Sequence, residues 1–211
     1  MRGIKVILFD IDGTLLDVRE FILQATEYAL KKLGYSVPER QTMAMHVGEP
    51  FAEYYFALTG SREHIDRLID IHREFQYQNF HLAKPFPGVL ETLSSLKKKG
   101  YRLAAVTSRS KKTSHQTLKD SGIFDFFETV ISVEDTENLK PHPEPLLKAL
   151  ADMGELPQRA VMIGDSHLDI EAGKAAGTKT IRVTYGFHKE KLNDPEPDYL
   201  IYDIKDLLDL L

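Results

Sequence analysis

Asp10 and Asp12 follow directly on four apolar residues, in the run VILFDIDGTLLD from Val6 to Asp17. An apolar run of this kind reads as a strand buried on both faces. Alternate residues of a strand face the same way, so both carboxylates point together from its carboxyl end. Two carboxylates held close either raise the pKa of one or demand a cation. A lone Asp at a strand end serves as often as a helix cap or an Asx-turn. A DxDGT cluster directly after VILF points instead to chemistry. A calcium loop does not fit: with Asp12-Gly13 at its turn, Leu8 and Arg19 fall at the first and last ligand positions. Nor does a nucleotide loop. GKAAGTKT (173–180) has the wrong spacing for a P-loop, and no GxGxxG occurs.

An active site built on one strand end takes partners from others. The run RLAAVT (102–107) leads into Thr107, Ser108 and Arg109, whose hydroxyls, loop amides and guanidinium suit a phosphate. AVMIG (160–164) leads into GDSHLD, where Asp165 and Asp169 flank a helix start. Between them LKPHPEP carries Lys140, fixed by the proline that follows it. Singly, each fragment is weak. A loop lysine is commonly solvated, and an acidic pair at a helix start favours the dipole. Together, in this order on one sheet edge, they are specific.

The elements that must position these residues alternate regularly. Strands at 4–9, 102–107, 129–133, 160–164, 179–184 and 198–202 are separated by helices at 88–99, 111–121, 143–153, the small-residue run LDIEAGKAAG, and a closing helix at 203–211. Such alternation implies right-handed crossovers and a mainly parallel sheet, whose ligands bind at the carboxyl edge. Residues 18–83 break the rhythm. They hold no strand pattern but three apolar helical faces: Phe21 to Leu33, Phe51 to Leu58 and Ile65 to Phe75. The expected architecture is a Rossmann-like α/β core (1–17 and 84–211) with an inserted all-helical cap domain (18–83).

Composition narrows the partners. The 211 residues carry a net charge of −5, no cysteine and no strong basic run. Clustered Lys and Arg are what a nucleic-acid backbone rewards, so no nucleic acid is expected. Without cysteine there is neither a disulfide framework nor a thiolate metal site. No run approaches the roughly 18 apolar residues of a membrane span, and MRGIKVILFD lacks a signal-peptide pattern. The expectation is a soluble, cytoplasmic protein that binds no membrane, as a monomer or weak homodimer.

The fragments FDIDGT, VTS, LKP and GDSxxD resemble the four motifs of the haloacid dehalogenase-like hydrolases, over essentially the whole chain. The helical insert resembles that family's small helical cap. The second aspartate of DxDGT resembles the family's phosphatases rather than its dehalogenases or phosphonatases. HVGEP (46–50) resembles the cap's specificity loop in phosphoglycolate phosphatases. The stretches ISVEDTENLKPHPEPLLKAL and GDSHLDIEAGKAAGTKT resemble a bacterial pyrophosphatase branch.

The resemblance implies a magnesium-dependent phosphatase of a small phosphorylated metabolite, phosphoglycolate being the first choice. Inorganic pyrophosphatase and sugar-phosphate mutase are the alternatives. Asp10 is implied as nucleophile and Asp12 as general acid and base. Magnesium is implied on the Asp10 carboxylate, the Asp12 carbonyl and Asp165. Thr107 and the Ser108 amide are implied to cradle the phosphoryl group and Lys140 to add its charge. Asp169 is implied to orient Lys140 or metal-bound water. Arg109 reads equally as a phosphate ligand or as a surface arginine. Gly48 and Glu49 fall on the loop implied to read the leaving group. His46 is a cleft candidate, and His167 reads as a rim residue.

Overall fold

A computed structural model describes residues 1, 3–47, 49–187 and 195–211. The chain opens with β1 (Val6–Phe9) and β2 (Leu16–Asp17). Four helices follow: α1 (Arg19–Lys32), α2 (Arg40–Met45), α3 (Phe51–Thr59) and α4 (Ile65–Gln78). Then come β3 (Lys84–Pro85), α5 (Val89–Lys98), β4 (Arg102–Val106), α6 (Lys111–Asp120), β5 (Thr129–Ile131) and α7 (Glu144–Asp152). The last elements are β6 (Ala160–Gly164), α8 (His167–Ala176), β7 (Lys179–Val183), β8 (Tyr199–Ile201) and α9 (Leu207–Leu210). These elements form two compact units, Met1–Asp17 with Lys84–Leu211, and Val18–Ala83.

In the first unit six strands pair in the order β5-β4-β1-β6-β7-β8, every neighbouring pair parallel. The crossovers from β4 to β5, β5 to β6 and β6 to β7 run through helices or helical turns. β1 is central and wholly buried, as is β6 beside it. Its residues Val6 and Leu8 pack with Val106, Ile131, Leu146, Leu150 and Met162 on one face of the sheet. Each such side chain contributes about 1.5–3 kcal/mol on burial. A slip of one residue would move Val6 and Leu8 to the opposite face and away from these partners, so the register of β1 is strongly fixed. Phe9 lies level with Ala105 and Ile163, which brings the ends of β1, β4 and β6 to one height.

β5 and the closing helix differ from the sequence expectation for local reasons. β5 stops at Ile131 rather than 133, because Ser132 and Asp135 form a reciprocal capping box that pulls the chain into a 3-10 turn. The closing helix divides into a 3-10 turn at 204–206 and α9, since Asp203 and Asp206 cap the turn in the same way. A two-residue antiparallel ribbon, β2 with β3, pairs Leu16 with Pro85 and Asp17 with Lys84. Strands this short carry no periodicity, so the sequence reads them as connections.

The second unit is all-helical. α1 and α4 pack against each other, as do α3 and α4. Phe21, Leu23, Ala25, Ala29, Leu30, Tyr54, Tyr55, Ile65, Leu68 and Ile71 are buried. Two pairs of polar groups are buried in it. The Thr26 and Tyr54 hydroxyls lie 3.0 Å apart, and Tyr55 Oη lies 2.8 Å from His72 Nδ1. α2 escaped the sequence reading because RQTMAM buries only Met43. No helix among the described residues is long and apolar enough to cross a membrane.

Candidate active site

The carboxyl edge of the parallel sheet gathers Asp10, Lys140, Asp165 and Asp169. The backbone N–H of Asp10 donates to Ile163 O at 2.9 Å, so Asp10 extends β1 by one step along β6. Beyond it the chain turns sharply: Gly13 N–H donates to Leu16 O, and Leu15 and Leu16 donate to Ile11 O, each at 2.9 Å. Gly13 has φ +81°, and a Cβ there would stand 2.3 Å from Asp165 Oδ2. Only glycine meets both demands, the left-handed backbone and the close approach.

Lys140 reaches the same edge from its loop. Its Nζ donates to Asp10 Oδ1 (2.7 Å), Asp169 Oδ1 (2.6 Å) and Val106 O (3.0 Å). The lysine and both aspartates are buried. Burial alone would lower the pKa of the ammonium, but Asp10 and Asp169 hold it above that of an ordinary lysine. Asp10 moves the opposite way from a free carboxylate. Burial raises its pKa well above the usual range; Lys140 opposes the rise, while Asp169, Asp165 and Asp12 add to it. Asp169 is held at its second oxygen by Ser166, whose N–H and Oγ donate at 3.1 and 2.6 Å, in the capping box that starts α8.

Asp165 is fixed from two sides. Phe187 N–H donates to its Oδ2 at 2.7 Å, and Arg182 Nε donates to its main-chain oxygen at 3.1 Å. A Cβ on Gly186 would come within 2.4 Å of the Asp165 side chain and 2.6 Å of Gly13 O. Sequence reading missed this support. Arg182 is almost wholly buried inside β7, where KTIRVT read only as a strand; a charged residue amid four apolar or β-branched neighbours was the available signal.

Asp12 stands apart from the triad. Arg109 Nε donates to its Oδ2 at 2.6 Å, and Arg109 Nη1 donates to Thr117 Oγ1 at 3.1 Å. The Arg109 side chain is 11% exposed, so the surface-arginine alternative is incorrect: the guanidinium is engaged by Asp12 and α6. Arg109 N–H donates to Thr107 Oγ1 at 3.2 Å, which ties Thr107 into the same turn, while Ser108 is exposed. In the helical unit His46 Nδ1 lies 2.9 Å from Glu49 Oε1. Gly48 lies outside the described residues. His167 is the exposed first residue of α8.

Oxygens of Asp10, Asp165 and Asp169 lie within 4.8 Å of one another. All three donors are hard carboxylates, as a magnesium ion prefers. Among the described residues Lys140 is the one cation bonded to Asp10 and Asp169, while Asp165 brings a third buried carboxylate beside them. The residues present therefore fit such an ion. The Asp12 carboxylate, turned to Arg109, is not among these three.

A family model described as haloacid dehalogenase-like hydrolase matches residues 7–183. Pyrophosphatase PpaX of Anoxybacillus flavithermus is 35% identical over 211 residues, covering 99% of this chain and 97% of its own. Among solved structures, a haloacid dehalogenase-like hydrolase from Streptococcus pneumoniae superposes with a TM-score of 0.90 at 26% identity, covering 100% and 99% of the two chains. A predicted phosphoglycolate phosphatase from Haemophilus somnus does so with a TM-score of 0.91 at 25% identity, again over 100% and 99%. The motif spacing, the parallel sheet with its carboxylate edge and these similarities lead to one conclusion: the chain belongs to the haloacid dehalogenase-like hydrolases.

Proposed function

We propose that this chain is a magnesium-dependent phosphatase that cleaves a small phosphorylated metabolite through an aspartyl phosphate on Asp10. The observation that carries this reading is the unlike setting of two carboxylates on one strand end. Asp10 is buried against Lys140, whereas Asp12 is partly exposed and bonded to Arg109. The Lys140 ammonium favours the ionised form of Asp10 that a nucleophile needs, and Asp12, partly exposed, can exchange a proton with the leaving oxygen and with water.

Asp10 attacks phosphorus with one carboxylate oxygen. The bond from phosphorus to the leaving oxygen breaks, and Asp12 gives that oxygen a proton. Water then attacks phosphorus and yields a proton to Asp12, the bond to Asp10 breaks, and inorganic phosphate leaves. Lys140 keeps one Asp10 oxygen oriented throughout and adds positive charge beside the transferring group. Thr107 and the Ser108 amide hold the phosphoryl oxygens. The ion would be held by the carboxylates of Asp10 and Asp165 and by the Asp12 carbonyl. When bound, magnesium offsets the repulsion between an anionic nucleophile and an anionic phosphate.

The similarity to the Anoxybacillus pyrophosphatase puts pyrophosphate first among substrates, and the HVGEP loop keeps phosphoglycolate second. Glu49 is proposed to take part in that choice from the helical unit. The deciding experiment measures phosphate release with magnesium from pyrophosphate, phosphoglycolate, sugar phosphates, nucleotides and an aryl phosphate, with a screen for isomerised sugar phosphate. Release from one small substrate, with phosphate recovered on Asp10 by mass spectrometry of an acid-quenched reaction, is expected. Absence of release from the whole panel, or an isomerised product in its place, would overturn the reading.

A further inference from the structure

We infer that Arg109 selects substrates whose leaving group is itself an anion, exchanging Asp12 for that charge when substrate binds. This rests on the phosphatase reading above. Asp12 must touch the leaving oxygen in order to protonate it, so its carboxylate marks where the leaving group arrives. Arg109 Nε lies 2.6 Å from that carboxylate, one hydrogen bond from the arriving atoms. The guanidinium is aimed rather than free to swing. Its Nη1 donates to Thr117 Oγ1 from α6, and its own N–H is tied to Thr107 Oγ1. With the side chain 11% exposed, the interaction is only weakly screened by solvent.

The transferring phosphoryl group has its own cation, Lys140, on the Asp10 side. Arg109, on the Asp12 side, is the counterpart for the other half of the substrate. A planar guanidinium forks onto phosphate or carboxylate with two parallel hydrogen bonds. The leaving half of pyrophosphate is a phosphate, and that of phosphoglycolate ends in a carboxylate. Both candidate substrates thus share the feature that Arg109 can read. An anion arriving there would take up the guanidinium and leave Asp12 turned to the leaving oxygen.

The test compares Arg109→Gln and Arg109→Lys with the unaltered enzyme on pyrophosphate, phosphoglycolate and phenyl phosphate, whose leaving group is uncharged once protonated. Arg109→Gln is expected to lower kcat/KM on the two anionic substrates at least about tenfold more than on phenyl phosphate, mainly through KM. Arg109→Lys, which keeps the charge without the fork, should recover part of that loss. Thermal melting of each variant confirms that it folds, and turnover of phenyl phosphate serves as the internal reference. An equal loss on all three substrates overturns the inference and leaves the phosphatase reading standing, because Arg109 would then only orient Asp12. An unaltered enzyme inert on all three substrates overturns both.

Discussion

The sheet edge and the helical unit bury polar groups by opposite rules. At the edge the buried groups include charged ones whose partners are remote in sequence: Asp10 and Lys140 are 130 residues apart, Lys140 and Asp169 are 29. In the helical unit the buried polar groups are hydroxyls, a histidine and an amide, as in Thr26 with Tyr54, Tyr55 with His72, and Gln76. Its ion pairs lie outside, among them Arg40 with Glu20 and Glu27, and Lys32 with Glu74. Burying charge is costly unless geometry and hydrogen bonds offset it, and a folding chain gains little net stability from doing so. The edge therefore spends stability on chemistry, while the helical unit keeps its charges in water and packs for stability. Substitutions should separate the two accordingly.

The largest effect is expected from Asp10→Asn. Removing the nucleophile should lower kcat by roughly 10^4-fold or more, as deletion of other nucleophiles does. The fold should not suffer, because the amide keeps the shape and relieves a crowded acidic cluster. A melting temperature equal to or above that of the unaltered protein in EDTA, beside lost turnover, supports the contrast. A marked fall in stability would show that the Asp10 charge also holds the sheet together.

Lys140→Met comes next. It leaves Asp10 and Asp169 buried beside an apolar chain, which should cost about 3 kcal/mol or more in chemical denaturation. The same experiment on Tyr55→Phe in the helical unit should cost only about 1–2 kcal/mol, the loss of one buried hydrogen bond. Tyr55→Phe should also leave phenyl phosphate turnover within about twofold, since sites that share no partner rarely couple. If Tyr55→Phe destabilises as much as Lys140→Met, buried charge is not the special burden of the edge.

The difference between the regions also governs what could be read from sequence. The edge was legible because its chemistry requires particular residue types at fixed offsets: DxDGT after a strand, a lysine before a proline, an aspartate at each side of a helix start. The strands themselves were legible as apolar runs, since a sheet covered on both faces needs them. What stayed hidden had no such signature. The Phe187 N–H that holds Asp165 is main chain, and Gly186 is required by a neighbour that the sequence does not show. The Arg109–Asp12 pair depends on which way two side chains turn. In the helical unit the apolar faces were visible, but α1 turns inward Leu23 and Thr26, whereas Ile22 is only partly buried. Which residues close such a face is decided by the helix opposite.

The smallest predicted effect concerns the sign of the pH response in the two regions. Asp10 has its pKa raised by burial, so the folded state binds its proton more tightly than the unfolded chain. In the metal-free protein its contribution to stability should therefore fall as pH rises from about 4 towards the raised folded value. Glu20 on α1 responds the other way. Its pKa is lowered, first by the Gln24 side-chain amide and also by Arg40, although slight burial opposes them. The folded state then binds its proton less tightly. Its contribution is complete above the ordinary value of 4.5 and is lost as pH falls through the lower folded value. Its side chain is 53% exposed, so screening holds the contribution below about 0.5 kcal/mol. Melting temperatures in EDTA between pH 3 and 6 resolve both, each read as a difference between variant and unaltered protein. Asp10→Asn should gain relative stability as pH rises, and Glu20→Gln should lose a little over the lower part of that range. The same sign for both variants would mean that the edge carboxylates are balanced in the folded protein without a metal ion, and the electrostatic case for a cation there would fail.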